Sequence, residues 1–139
     1  MDALEYNKQL VSFESTSNLS NAPVSDYCEQ VLSVLGFAIE RIEYEDPDGL
    51  RKVSVLGKKG AGSGGMAYFA HTDVVPADPS HTADFGTFEP TIVGDRLYGP
   101  GISDTKGAIA FMLAASERLV PPPPTHPAYL TPTSHAALA

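Results

Sequence analysis

Residues 66–70, Met-Ala-Tyr-Phe-Ala, form a near-continuous apolar run that stops abruptly at His71, Thr72 and Asp73 before Val74, Val75 and Pro76. A strand that is apolar on both faces suits the centre of a sheet covered on both sides. Such a strand demands helices to cover it. The flanking patterns supply them. Val24, Tyr27, Cys28, Val31, Leu32 and Leu35 recur at spacings of three and four, which predicts a helix with one apolar stripe. Ser20 or Asn21 can cap its start, Pro23 suits its first turn, and Gly36 stands where a left-handed C-terminal residue is wanted. Cys28 lies on the stripe and reads as core, not as a nucleophile.

A weaker first helix is predicted over residues 2–13. After Gly36 the pattern turns to alternation, with Phe37, Ile39 and Arg41 facing one way, and Glu45–Gly49 makes a turn. Lys52–Leu56 reads as a second strand and Gly57–Gly65 as a flexible connection. Asp95–Tyr98 reads as a further short strand after a Val93-Gly94-Asp95 turn, and Ala108–Leu119 as a helix with Ile109, Met112 and Leu113 on one face. The fold class is α/β, with helices packed on a mixed central sheet. Gly60–Gly65 matches the G-x-G-x-x-G spacing of dinucleotide folds, but an apolar strand follows it where a helix is required, so it reads as a connector.

The 139 residues suffice for one domain with a core. A net charge of −8 with nine scattered Lys and Arg residues argues against nucleic acid. The single cysteine allows no intrachain disulfide, and neither a signal-like start nor a long apolar span is present, which points to the cytoplasm and away from membranes. Asn18-Leu19-Ser20 fits the glycosylation sequon by chance. Composition shifts at Val120. Residues 1–118 carry all 26 charged side chains and residues 120–139 carry none, while six of the twelve prolines lie in that last stretch. Residues 120–139 therefore read as a Pro-rich tail, disordered or the product of a frameshift, whose trimming leaves the rest folded. Its four consecutive prolines also admit a proline-recognition ligand, without the basic flank usual in one.

The chemistry gathers in two segments. If extended geometry persists through residues 71–73, His71 and Asp73 project to the same side. Asp104 sits in the Gly-rich segment 95–111, Asp-Arg-Leu-Tyr-Gly-Pro-Gly-Ile-Ser-Asp-Thr-Lys-Gly-Ala-Ile-Ala-Phe, just before a helix. Singly, each has an ordinary role: His71 as a satisfied polar residue at a strand end, Asp73 as an Asx turn, Asp104 as a helix N-cap. Together, an imidazole, a carboxylate able to orient it and a further carboxylate are the N/O set that Zn²⁺ or Co²⁺ accepts.

His-Thr-Asp-Val-Val-Pro, followed some thirty residues later by Leu-Tyr-Gly-Pro-Gly-Ile-Ser-Asp-Thr-Lys-Gly-Ala-Ile-Ala, resembles the M20 metallopeptidases, which include acetylornithine deacetylase, succinyl-diaminopimelate desuccinylase, glutamate carboxypeptidase and aminoacylase. Residues 15–37 also resemble the opening of acetylornithine deacetylase-like members. The resemblance covers residues 1 to about 118 and implies the N-terminal part of a metallohydrolase catalytic domain. It implies two divalent ions, Zn²⁺ or Co²⁺, with His71 a ligand of one, Asp104 bridging both, and Asp73 the catalytic residue that orients His71. The implied substrates are N-acyl amino acids or peptides, and the full-length family member can be a homodimer. Gly99-Pro100-Gly101 stands where the family often has Gly-Arg-Gly. The family's downstream Glu-Glu pair, general base and metal ligand, has no counterpart here, since after Asp104 the one carboxylate side chain is Glu117. His126 and His135 stand outside any family motif. The sequence is thus expected to encode a truncated, inactive amidohydrolase. The alternative is a non-catalytic α/β fragment that binds metal weakly or serves an interaction role.

Overall fold

The computed structural model of the chain describes residues 1–76, 86–119 and 126–134. Helix α1, Ala3–Ser12, opens with a capping box in which the Asp2 carboxylate accepts from the Glu5 amide at 2.8 Å and the Glu5 carboxylate accepts from the Asp2 amide at 2.9 Å. It buries Tyr6, Leu10 and Val11. Helix α2, Ala22–Val34, buries Val24, Cys28 and Leu32, as its stripe predicts. Burial pushes the Cys28 thiol up to about 12, which suits the core role. Gly36 adopts φ +80° after this helix, with its amide donating to Ser33 and the Phe37 amide to Leu32, each at 3.0 Å. This pair of bonds closes two of the helix's last carbonyls and requires a left-handed residue between them.

Four strands form a mixed sheet in the order β1-β2-β6-β3: β1 is Ala38–Glu45, β2 is Arg51–Lys59, β3 is Met66–His71 and β6 is Ala128–Thr133. β2 pairs antiparallel with β1 and with β6, whereas β3 runs parallel to β6. A separate hairpin joins β4, Thr91–Val93, to β5, Arg96–Tyr98, around Gly94. Helix α3, Gly107–Ser116, packs on α1, while α2 packs on β2 and β1. One core of Tyr6, Leu10, Val24, Leu32, Val53, Ile109 and Leu113 joins these elements. Among the described residues no helix is long and apolar enough to cross a membrane.

Three expectations need correction. β2 runs on through Gly57 to Lys59, so the connection to β3 begins at Gly60. A Cβ at Gly57 would lie 3.2 Å from Leu32 Cδ1 and 3.3 Å from Phe37, so glycine there serves close helix–sheet packing. Secondly, residues 128–133 are not tail. They enter the sheet between β2 and β3, with Met66–His71 opposite Ala128–Thr133 along the whole of β3. The proline within this strand is tolerated because pairing with β2 covers only Ala128–Leu130, and Pro132 falls beyond it. Thirdly, this insertion moves β3 from the expected sheet centre to the end of the described sheet, where Met66 and Phe69 are exposed. The four prolines and Val120, with residues 135–139, lie outside the described residues.

Asn21 stands at the start of α2, yet its side chain makes no cap. Fully buried, it accepts from the Val53 amide at 2.8 Å and donates to the Val53 carbonyl at 2.8 Å and the Thr72 hydroxyl at 3.0 Å. It thereby fastens α2, β2 and the end of β3 to one another. Asn21→Ala strands the Val53 amide and leaves the Val53 carbonyl only the Ser25 hydroxyl at 3.3 Å, and urea unfolding is expected to register a loss of about 3 kcal/mol.

Candidate metal centre

His71 closes β3, and the residues after it are clamped on two sides. The Thr72 amide donates to the Thr133 carbonyl at 2.7 Å, and the Ser15 hydroxyl donates to the Thr72 carbonyl at 2.7 Å. The Val74 amide then donates to the Ser15 carbonyl at 2.9 Å, and Ser17 returns a bond to Val74 at 3.0 Å. The strand end is thus held between β6 and the segment that follows α1.

Asp104 arrives from a wide turn, Ile102–Lys106, that leads into α3. Its backbone, φ −144° and ψ 91°, is extended, and the N-cap position of α3 is Lys106, so Asp104 is no helix cap. The Asp104–Thr105 peptide is cis. Gly101 enters the turn left-handed at φ +79°, where a Cβ would come within 2.5 Å of Val74 Cγ1. The Lys106 side chain is fully buried. Its amine donates to the Phe13 carbonyl at 2.9 Å and lies 5.8 Å from the centre of the Phe88 ring. Desolvation pushes this amine down to about 8.

The structure brings the three predicted residues together. His71 Nε2 lies 3.0 Å from Asp104 Oδ1, across 33 residues of sequence. His71 Nδ1 lies 2.9 Å from the Asp73 main-chain carbonyl and 3.7 Å from the Asp73 carboxylate. The carboxylate implied to orient the histidine is therefore the more distant of two partners that Asp73 offers. A carbonyl can only accept, so the contact at 2.9 Å places hydrogen on Nδ1 and leaves Nε2 as the ring nitrogen that meets Asp104. Asp73 is buried, with a side-chain exposure of 6%, whereas Asp104 is 81% exposed. Among the described residues no three His, Cys, Asp or Glu side chains converge to hold an ion. Glu117 accepts from the Tyr6 hydroxyl and the N-terminal amine, both at 2.6 Å, contacts that hold its carboxyl below the usual range. His126 is exposed, and His135 lies outside the described residues.

A model of peptidase family M20/M25/M40 matches residues 67–131, which include both halves of this pair and much of β6. Succinyl-diaminopimelate desuccinylase of Sphingopyxis alaskensis is 38% identical over 117 residues, 84% of this chain. The chain belongs to the M20 peptidase family. It spans 30% of the length of that relative. The fold is likewise that of M20 structures. Human carnosine dipeptidase 1 superposes with a TM-score of 0.72 at 20% identity, over 92% of this chain and 31% of its own. The M20 metallo-carboxypeptidase Sso-CP2 of Sulfolobus solfataricus gives 0.72 at 22% identity, over 94% of this chain and 30% of its own.

Several residues around this candidate site escape sequence reasoning. Lys106 carries one overlooked signal, a cation at a helix N-terminus where the macrodipole disfavours it. Ser15, Thr72 and Thr105 carry none, because their hydroxyls matter through partners remote in sequence.

Proposed function

We propose that this chain supplies part of the site of a metal-dependent amide hydrolase acting on N-acyl amino acids or peptides. The observation that carries the reading is the 3.0 Å approach of His71 Nε2 to Asp104 Oδ1. With Nδ1–H committed to a carbonyl, Nε2 is the ring nitrogen that meets the Asp104 carboxylate, and a nitrogen and an oxygen donor so placed are a pair that a divalent cation accepts. The spacing also fits, since two ligands of one tetrahedral zinc ion lie about 3.3 Å apart. His71 and Asp104 would hold the ion, Zn²⁺ or Co²⁺, which when bound would polarise an amide carbonyl and acidify water. Asp73 fixes the tautomer of His71, and the clamped end of β3 fixes the plane of the ring. Asp104 would contribute negative charge to the ion it helps to hold. We assign the remaining ligands and the proton acceptor to sequence matching the rest of the M20 relative.

For the acyl group, the 38% identical relative favours N-succinyl-diaminopimelate, and the resemblance of residues 15–37 favours N-acetylornithine. Residues 1–131 grafted in place of the matching segment of the Sphingopyxis desuccinylase are expected to hydrolyse the succinyl substrate with Zn²⁺ or Co²⁺ present. A folded chimera that hydrolyses neither would leave the second reading, a non-catalytic α/β fragment.

Metal binding by the 139-residue chain is a separate prediction. Two ligands hold a divalent ion far less tightly than a closed site, so calorimetry is expected to show weak Co²⁺ binding that is lost in His71→Ala. Tight binding of two ions per chain would overturn the assignment of further ligands to other sequence. Equal binding by His71→Ala would overturn the pair itself.

A further inference from the structure

The Asp104 carboxylate is exposed and its backbone is non-helical, so beyond its 3.0 Å contact with His71 its own surroundings do little to fix it. Its placement depends on how the turn 102–106 is hung from the rest of the molecule. Apart from the contact of Asp104 with His71 and the Gly107 amide to Ile102, the anchors are the Lys106 amide to Gly101 at 2.8 Å, the Lys106 amine to Phe13 at 2.9 Å, and the Thr105 hydroxyl to the His71 carbonyl at 2.7 Å. The first lies within the turn's own segment and the second reaches the end of α1. The third runs from the neighbour of one ligand candidate to the main chain of the other.

We propose that Thr105 is a positioning residue for the metal pair, its hydroxyl setting the separation of Asp104 from His71. The inference rests on the reading of His71 and Asp104 as metal ligands. The anchor point is firm, because the next residue is bonded to Thr133 through its amide and hydroxyl and to Ser15 through its carbonyl. The anchor is also short and directional. Thr105 is half-buried, and a β-branched side chain has little freedom about χ1, so the hydroxyl holds the turn at one height above the strand end. Without that bond Asp104 keeps its carboxylate but loses its registration against His71. Two ligands then bind an ion less tightly than when they are held ready for it.

The test uses the 139-residue chain and Co²⁺, followed by calorimetry and by the visible absorption of the bound ion. Thr105→Ser, which retains the hydroxyl, is expected to bind Co²⁺ as the unaltered chain does. Thr105→Val and Thr105→Ala are expected to bind about tenfold more weakly, alike in spite of their different volumes, with circular dichroism unchanged. Should Thr105→Val lose its fold, the comparison of Ser with Ala reads the same bond. Wild-type affinity in Ala or Val, or a loss that follows side-chain volume and includes Ser, overturns the role of the hydroxyl and leaves the pair intact. No Co²⁺ binding by the unaltered chain up to millimolar concentration, or full binding by His71→Ala, overturns the pair and this inference with it.

Discussion

A chain ended after Leu119 is expected to lose its cooperative fold, and not merely its last twenty residues. β6 is interposed between β2 and β3, so its removal leaves β3 without the neighbour that pairs with it from Met66 to His71. It also removes the buried Leu130 from the core, and the hydroxyl bonds between Ser54 and Thr133 and between Tyr44 and Ser134. Burial of one leucine is worth about 1.5–3 kcal/mol, and each ladder bond about 0.5–1.5 kcal/mol. Six paired positions therefore approach the whole net stability of a domain, about 5–15 kcal/mol. The shortened chain should show a diminished far-UV signal and no sigmoidal melt. In the full chain, Leu130→Ala should cost about 2–5 kcal/mol by denaturant unfolding. A chain ending at Leu119 that melts at the temperature of the full chain would show that β6 contributes nothing.

The contrast with the uncharged tail expected for these residues marks the boundary of what the sequence discloses. Helix α2 is legible from end to end, because its stripe, its early proline and the left-handed Gly36 are all local signals that agree. Strand β6 has no such signal. Ala-Tyr-Leu-Thr-Pro-Thr is short and proline-interrupted, and it is made a strand by a partner some sixty residues earlier. The position of β3 follows from the same pairing. Its apolar run states that it is a strand, but where it stands in the sheet depends on which chain segment inserts beside it. At the candidate site the residue types of His71, Asp73 and Asp104 are legible, together with their family resemblance. Their distances are not. Lys106 is the clearest omission, since a fully buried lysine is rare and its burial depends on the carbonyl of Phe13, 93 residues away.

The two carboxylates of the site are expected to differ sharply when each is replaced by its amide in a chimera that completes the M20 domain. Asp104→Asn removes an anion from the pair at 3.0 Å and substitutes a neutral oxygen and an NH₂ group, one of which must face the ion. If Asp104 is the ligand proposed and the metal supplies several kcal/mol of charge stabilisation, its loss lowers kcat/KM on the order of 10³-fold. Asp73→Asn leaves the main-chain carbonyl in place at 2.9 Å, and that group alone suffices to keep hydrogen on Nδ1 and the lone pair on Nε2. What the amide takes away is the charge of a buried carboxylate 3.7 Å from the ring, which makes the imidazole a weaker donor. The expected loss is about tenfold, the lower end of the range for groups that act through a ligand. Metal content after dialysis should follow the same order, with Asp73→Asn retaining most of its ion and Asp104→Asn little. Equal damage from both substitutions would show that the Asp73 carboxylate acts on the reacting atoms themselves. Full activity in Asp104→Asn would reduce that residue to a turn residue beside a strand-end histidine.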